Sequence, residues 1–171
     1  MKGSPPHAGR QLVMLGLLAS AAALAQPQAI APEPGESEVP TPPAFDVKRL
    51  LPIEVSRASA LTIGIDPATV TITPSGVVRY VVIASSPSGA VNVMYEGIRC
   101  ASAEYRVYAR HHGERGWVSA QGQEWQSLRG SLRAQHPLAL ARAGVCDGPA
   151  PGNSPADIVR ALRSPAARHL D

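Results

Sequence analysis

Two β-branched segments on either side of one short turn constrain the fold of this chain most. Residues 77–85 (VVRYVVIAS) and 90–100 (AVNVMYEGIRC) are rich in Val, Ile and Tyr, and residues 86–89 (SPSG) separate them. Such segments joined by a short Pro- and Gly-containing turn indicate a β-hairpin. Because side chains alternate between the two faces of a strand, the hairpin predicts an antiparallel sheet with two distinct faces.

The centre of the turn predicts the register of this hairpin. With the turn centred on residues 87–88, Tyr80 faces Tyr95 on one face and Arg79 faces Glu96 on the other. Opposite charges directly across a strand pair stabilise it by about 0.2–1 kcal/mol. A slip of one residue would move every side chain to the wrong face. We therefore interpret Arg79 and Glu96 first as a pair that fixes the register.

Further strands are predicted on both sides of the hairpin. Residues 61–65 and 68–73 are short β-branched segments, and Asp66-Pro67 between them is a typical bend. A catalytic role for Asp66 is the less favoured alternative. Residues 104–110 (EYRVYAR) alternate as a third strand after the hairpin. We expect an antiparallel sheet of four to five strands.

The C-terminal third predicts short helices. Residues 137–143 begin with Pro and are followed by Gly144, an arrangement typical of helix ends. The segment that starts at Ser154 has a capping pattern for a final helix. Trp125, Leu128 and Leu132 are also spaced for one helical stripe. The predicted fold class is α+β, with one or two short C-terminal helices beside the sheet.

The N-terminus predicts a cleavable signal peptide over residues 1–25. Two basic residues precede an apolar run over residues 12–24, and the small residues that a signal peptidase accepts follow, with cleavage between Ala25 and Gln26. The run is shorter than the roughly 20 residues that span a bilayer. We expect an exported protein, periplasmic or otherwise extracytoplasmic, without a transmembrane anchor after cleavage. A retained membrane anchor is the alternative.

Composition divides the remaining chain into three parts. Residues 26–47 are rich in Pro and acidic residues and predict a disordered linker. Residues 48–146 predict the folded domain, and residues 147–171 predict a linker and a short C-terminal helix. The formal charge of the whole chain is +3. Its basic residues do not cluster with interleaved aromatic residues, so we expect no nucleic-acid partner.

The chain has two cysteines, Cys100 and Cys146. In an oxidising compartment such a pair most simply forms one disulfide. Closing the loop between residues 100 and 146 with a disulfide stabilises the folded state by roughly 4 kcal/mol in the chain-entropy model. The alternative, a redox or metal-binding pair, lacks the CxxC spacing that would favour it.

Known catalytic and cofactor motifs are missing from the sequence. It contains no GxSxG, P-loop or GxGxxG pattern. The adjacent histidines His111 and His112 would point to opposite faces of a strand, and His136 and His169 have no spacing typical of ligands. We therefore expect no cofactor and no metal site.

One cluster of charged residues remains a candidate site. Alternation places its four members on one sheet face: Arg79, Glu96, Arg106 and Arg110. Three guanidinium groups around one carboxylate form either a structural ion-pair network or a site for an anionic ligand. The preferred function is a non-enzymatic extracytoplasmic module that binds an envelope protein or ligand. The alternative is a small hydrolase-like envelope enzyme that uses Glu96 with neighbouring Arg residues or His111.

A group of short motifs resembles one protein family, and Trp117, Trp125 and Cys146 fall at matching places. The motifs are Ile65-Asp66-Pro67, Gly76-Val77-Val78-Arg79-Tyr80, Ser88-Gly89-Ala90, Asn92-Val93 and Tyr95-Glu96-Gly97-Ile98-Arg99-Cys100. They resemble the cryptic-neisserial-protein-one-like family over about Lys48 to Cys146. The resemblance implies a small exported bacterial protein of unassigned function. It implies a compartment and a domain, and no catalytic residues.

Overall fold

The structure, a computed structural model, describes residues 40–55, 59–120, 124–130, 133 and 135–164. The predicted signal peptide and its cleavage site at Ala25 and Gln26 lie outside the described residues, and so does the predicted linker up to residue 39. Within the described ranges, no helix has both the length and the apolar character needed to cross a membrane.

A seven-stranded antiparallel sheet forms the centre of the domain. Its strands are β1 (Leu51–Ile53), β2 (Thr62–Ile72), β3 (Val77–Ser85), β4 (Val91–Arg99), β5 (Glu104–His111), β6 (Trp117–Ser119) and β7 (Gln126–Ser127). They are ordered β1-β2-β3-β4-β5-β6, and β7 also pairs with β5. The predicted number of four to five strands is wrong. Strands of two or three residues, such as β1, β6 and β7, are too short to show alternation in a sequence.

The C-terminal elements are α1 (Gln135–Leu140), β8 (Cys146–Asp147), β9 (Ala150–Pro151) and α2 (Pro155–Arg163). One π-helical turn continues α1 as far as Val145 and contains Gly144 at φ +122°. In α2, Ser154 is the N-cap, and its hydroxyl oxygen accepts a hydrogen bond from the Asp157 backbone N–H at 3.1 Å. The predicted combination of an antiparallel sheet with one or two short C-terminal helices is confirmed, and the structure has two.

The register of the β3–β4 hairpin differs by one residue from the predicted one. Ser85 pairs with Val91, so the loop has five residues and Tyr80 pairs with Glu96. Gly89, at φ +86°, adopts a left-handed conformation that lets Ala90 belong to the loop. The predicted turn assigned Ala90 to the strand instead.

The predicted bend at Asp66-Pro67 is also wrong, because both residues lie inside β2. A bulge interrupts the pairing of β2 with β3 between Asp66 and Thr71. Pro67 has no backbone N–H to donate to the hydrogen bonds between β2 and β3, and the hydroxyl of Thr69 replaces part of these bonds. This hydroxyl donates to the Asp66 carbonyl at 2.6 Å and accepts from the Val81 N–H at 2.9 Å.

The predicted helical stripe at residues 125–132 is wrong where the structure describes it. Gln126 and Ser127 form β7, which pairs with Tyr105 and Glu104 of β5. Leu128 is buried in the main core, while Leu132 lies outside the described residues. Pairing with an existing strand has overridden the local spacing.

Both sheet faces are covered by apolar side chains. The helix face carries Tyr80, Glu96 and Ile98, and packs against Leu140, Ile158 and Leu162 of the C-terminal segment. The N-terminal face carries Val81, Ile83, Val93, Tyr95, Tyr108 and Ala109, and packs against Phe45, Leu50 and Trp117. The larger core therefore lies between the sheet and the C-terminal helices.

The predicted Cys100–Cys146 disulfide is confirmed. It joins the residue directly after β4 to the first residue of β8 with a Cα–Cα distance of 5.7 Å. The C-terminal segment is thereby fastened to the helix face at the edge of the main core.

Candidate functional site

A cavity of about 360 Å³ opens on the helix face. It combines acidic, basic, hydroxyl, amide and apolar side chains: Met94, Glu96, Tyr105, Val107, Arg110, Gln126, Arg133 and His136. The first five come from the neighbouring strands β4 and β5, Gln126 comes from β7 and His136 from α1. The centre of the sheet therefore forms the floor, and the segments that follow β5 form the walls.

Glu96 is the most constrained residue of the cavity wall, with a relative exposure of 0%. His136 Nε2 lies 2.9 Å from its Oε2 and 3.1 Å from its Oε1. The Tyr80 hydroxyl donates to Oε2 at 3.2 Å. Complete burial, reinforced by the charge of Glu96, raises the pKa of Tyr80 well above its usual value. The Tyr80 hydroxyl therefore remains a proton donor to the carboxylate.

A second hydroxyl shares the cavity with this pair. The Tyr105 hydroxyl donates to Gln126 Oε1 at 3.0 Å. Burial raises the pKa of Tyr105 and the charge of Glu96 adds to the increase, while the charges of Arg133 and Arg110 act in the opposite direction. The electrostatic field at this hydroxyl thus contains contributions of both signs from the cavity wall.

A β-bulge in β5 determines which side chains reach the cavity. Tyr95 pairs with Ala109, but the next residue, Glu96, pairs with Val107, so that Tyr108 is the extra residue. A bulge changes the alternation of side chains along a strand. Residue 108 and residue 109 consequently both lie on the N-terminal face, and Arg110 turns back to the helix face beside Glu96.

The structure divides the predicted charged cluster between the two faces. Glu96 and Arg110 line the cavity together. Arg79 pairs in register with Gly97, and the predicted cross-strand pair of Arg79 with Glu96 is wrong. Arg79 and Arg106 instead lie over the ring of Tyr108, with guanidinium-to-centroid distances of 5.6 and 5.7 Å. These two arginines belong to the N-terminal face.

The histidine of the site is His136, for which the sequence predicts no role. His111, the histidine of the hydrolase-like alternative, pairs with Trp117 across β5 and β6. Its ring lies 5.0 Å from that of Phe45 and 5.2 Å from that of Trp117. His136 and Glu96 are separated by 40 residues. No local spacing signals such a contact, and only the packing of α1 against the sheet creates it.

The motif around Glu96 has a physical explanation in the structure. A Cβ atom at Gly97 would lie 2.7 Å from the Tyr108 hydroxyl, so only glycine leaves room for that ring. Ile98 is fully buried, Arg99 stacks 4.0 Å above the Trp125 ring, and Cys100 forms the disulfide. Glu96 is the only residue of this motif that lines the cavity.

A second buried carboxylate, Asp66, lies away from the cavity. It accepts two hydrogen bonds from Arg49, at 3.0 and 2.7 Å, and one each from the Asp46 and Ala68 N–H groups. Burial favours the neutral form, but the bonds from Arg49 and the two N–H groups outweigh it and lower the pKa of Asp66. A carboxylate with every position engaged in this way fits a structural role.

Metal-binding side chains do not converge in the part of the chain that the structure describes. Within it, no three His, Cys, Asp or Glu side chains lie close enough together to hold a metal ion. Every buried side-chain nitrogen and oxygen in the same part has a hydrogen-bond partner. The buried polar groups of the cavity, such as the Glu96 carboxylate, are therefore already satisfied.

Comparison with protein families matches residues 31–163 to the CNP1-like family. No curated protein and no solved structure matches the chain. The family match covers every strand and helix described above, and it extends beyond the Lys48–Cys146 region that carries the sequence resemblance. This result confirms the resemblance: the chain belongs to the CNP1-like family.

Proposed function

We propose that the protein is an exported, non-enzymatic binding module and that the Glu96 cavity holds its ligand. The observation that carries the proposal is the cavity itself. Its volume of about 360 Å³ falls in the range of small-molecule sites, which are typically apolar clefts with a few oriented polar groups. Apolar Met94 and Val107 and polar Tyr105 and Gln126 fit that description.

The state of Glu96 favours binding over acid–base chemistry. A general acid or base must come within hydrogen-bond reach of its substrate. Glu96 is fully buried, and its carboxylate is engaged by His136 and Tyr80. The carboxylate fixes the position of His136, which lines the same cavity.

Export is supported by the residues at the start of the chain and by the disulfide. Residues 1–25 have the pattern of a cleavable leader, and structural disulfides persist mainly in oxidising compartments. The purified protein should have Gln26 as its first residue and contain no free thiol, both measured by intact mass spectrometry. An intact precursor with two free thiols would contradict export.

A cavity-blocking variant tests the binding role. Met94→Trp places a large ring in the cavity, while Val91→Trp adds the same ring at an exposed position of the same strand. In a thermal-shift screen of small molecules, we expect ligands that stabilise the wild type and Val91→Trp, and fail to stabilise Met94→Trp. Equal responses from all three proteins, or no stabilising ligand, would overturn the proposal.

The contact between His136 and Glu96 is the observation that favours an enzyme instead. A buried carboxylate beside a histidine orients the imidazole for proton transfer in many hydrolases. Reporter esters, amides, phosphoesters and glycosides therefore form a second test, with His136→Gln and Glu96→Gln as matched variants. Turnover by the wild type that both variants abolish would replace the binding role by a hydrolase.

A further inference from the structure

The charged groups of the cavity do not face its interior equally. Glu96 is buried in the wall with 0% exposure, and its oxygens are occupied by His136 and Tyr80. Arg110 and Arg133 line the same cavity and are exposed. A molecule that enters the cavity is therefore exposed to the positive charges of Arg110 and Arg133, whereas the negative charge of Glu96 is buried and hydrogen-bonded.

Arg110 owes its position to the bulge at Tyr108. Without the extra residue, the alternation along β5 would place Arg110 on the N-terminal face with Arg106. Its Nη1 lies 2.8 Å from the Met94 sulfur, and a thioether is a weak acceptor. Within the described residues, Arg110 forms no ion pair. A guanidinium group prefers a carboxylate or a phosphate, which it binds through two parallel hydrogen bonds.

The remaining surface sets the character of the rest of the ligand. Met94 and Val107 present apolar surface, and the hydroxyl of Tyr105 is already bonded to Gln126. The volume of about 360 Å³ is at the small end of ligand sites. A small body with one anionic group fits these walls, because its carboxylate or phosphate is a stronger acceptor for the Arg110 guanidinium than the Met94 sulfur is, whereas a neutral molecule offers no such acceptor.

We propose that the ligand of this cavity is a small organic anion whose carboxylate or phosphate is bound by Arg110, with its apolar body against Met94 and Val107. The proposal rests on the binding role proposed above and specifies its ligand class. Arg133 adds positive charge at the same opening. Glu96 and His136 line the same cavity and help to set its shape.

The test uses benzoate, phenyl phosphate and inorganic phosphate as anionic probes and benzamide as a neutral probe of the same shape as benzoate. Titration calorimetry on the mature protein should give binding of benzoate or phenyl phosphate at least tenfold tighter than binding of benzamide. Because exposed charges are screened by salt, the affinity should fall between low and high ionic strength. Tighter binding of inorganic phosphate than of phenyl phosphate would show that the apolar wall contributes nothing.

Variants assign the binding to Arg110. Arg110→Gln should weaken benzoate and phenyl phosphate by at least tenfold, and Arg110→Lys, which keeps the charge and loses the planar fork, should lie between it and the wild type. Arg115→Gln is the matched control, an exposed arginine in the turn after β5. Unchanged melting temperatures establish that all three variants fold.

The outcomes separate the ligand class from the binding role. If benzamide binds as tightly as benzoate, or if the screen with Met94→Trp yields only neutral ligands, the anion proposal is wrong and the cavity remains a binding site. If anions bind equally to the wild type and Arg110→Gln, the anion site lies elsewhere and the proposal is overturned. If no ligand binds at all, both proposals fail.

Discussion

Among the residues that the structure describes, two carboxylates, Asp66 and Glu96, are completely buried, and their partners differ in kind. Asp66 is held by the permanently charged Arg49 through two hydrogen bonds at 3.0 and 2.7 Å. Glu96 is held by the imidazole of His136, which unlike a guanidinium group carries no permanent charge, and by the hydroxyl of Tyr80. The first carboxylate has a fixed counter-charge, whereas the second does not.

The surroundings of the two carboxylates differ as well. Asp66 joins the 3-10 turn at residues 47–49 to the middle of β2, and two backbone N–H groups complete its coordination. Glu96 lies beside the cavity, on the floor that β4 and β5 share. Burial of an acid alone therefore does not identify a functional site. The nature of the partner and the presence of a cavity distinguish a structural carboxylate from one at a binding site.

The largest expected loss of stability follows from substitution of the structural carboxylate, Asp66. Asp66→Asn removes the carboxylate that accepts hydrogen bonds from Arg49 and from two backbone N–H groups. Because the Arg49 side chain is 48% exposed and regains water, no charge is left buried, and we expect a loss of about 2–3 kcal/mol, within the range for hydrogen bonds to a charged group. Urea denaturation measures it. Asp157→Asn, which alters an exposed ion pair with Arg160, should cost much less, and equal losses would refute the distinction.

A smaller loss of stability is expected at the second carboxylate. Glu96→Gln keeps one carbonyl acceptor for Tyr80 or His136 and removes a buried charge. We expect a decrease of about 1–2 kcal/mol in the free energy of unfolding, the range for altered buried hydrogen bonds. The same urea titration applies. A loss larger than that of Asp66→Asn would reverse the roles assigned to the two acids.

The pH dependence of stability distinguishes Asp66 further. The folded-state pKa of Asp66 is lowered from 3.8, so its contribution is fully present above the unfolded value and is lost as the pH falls through the folded value. Wild-type stability should therefore decline below about pH 4 more steeply than that of Asp66→Asn. Chemical denaturation between pH 2.5 and pH 7 tests this, and parallel curves for the two proteins would contradict it.

The smallest effect on stability is expected at the mouth of the cavity. Arg110 is exposed, and surface substitutions usually change stability by less than about 0.5 kcal/mol. Arg110→Gln should thus leave the urea midpoint unchanged while it weakens anion binding. A stability loss comparable to that of Glu96→Gln would mean that Arg110 supports the fold rather than a ligand.

Local patterns were sufficient to predict much of the fold. The bounds of β3 match the predicted segment 77–85, and β5 extends the predicted segment 104–110 by one residue. The helix that begins after Ser154 and the disulfide were also predicted. These features depend on alternation, capping and cysteine pairing, which are properties of neighbouring residues or of composition.

The register of the central hairpin was missed for a local reason. One residue, Ala90, belongs to the loop rather than to the strand, because Gly89 takes a left-handed conformation. Because of that single residue, the cross-strand partner of Glu96 is Tyr80 and not the predicted Arg79. A five-residue loop and a four-residue loop are both compatible with Ser, Pro and Gly at these positions.

The candidate site was missed for a different reason. Its geometry depends on the bulge at Tyr108 and on the packing of His136 against Glu96, 40 residues away. Both are set by tertiary contacts, such as the close approach of the Tyr108 hydroxyl to Gly97. The alternation along β5 predicted Arg110 beside Glu96, and the structure places it there only because the register shift and the bulge compensate each other.

The disulfide has a consequence for the integrity of the cavity. Six of its eight lining residues lie between Cys100 and Cys146 in the sequence, and Met94 and Glu96 precede Cys100 by a few residues. Most of the cavity is thus carried by one covalently closed ring of chain. A protease that cuts this ring once leaves a single molecule with both cut ends attached, and a reductant is needed to release the pieces.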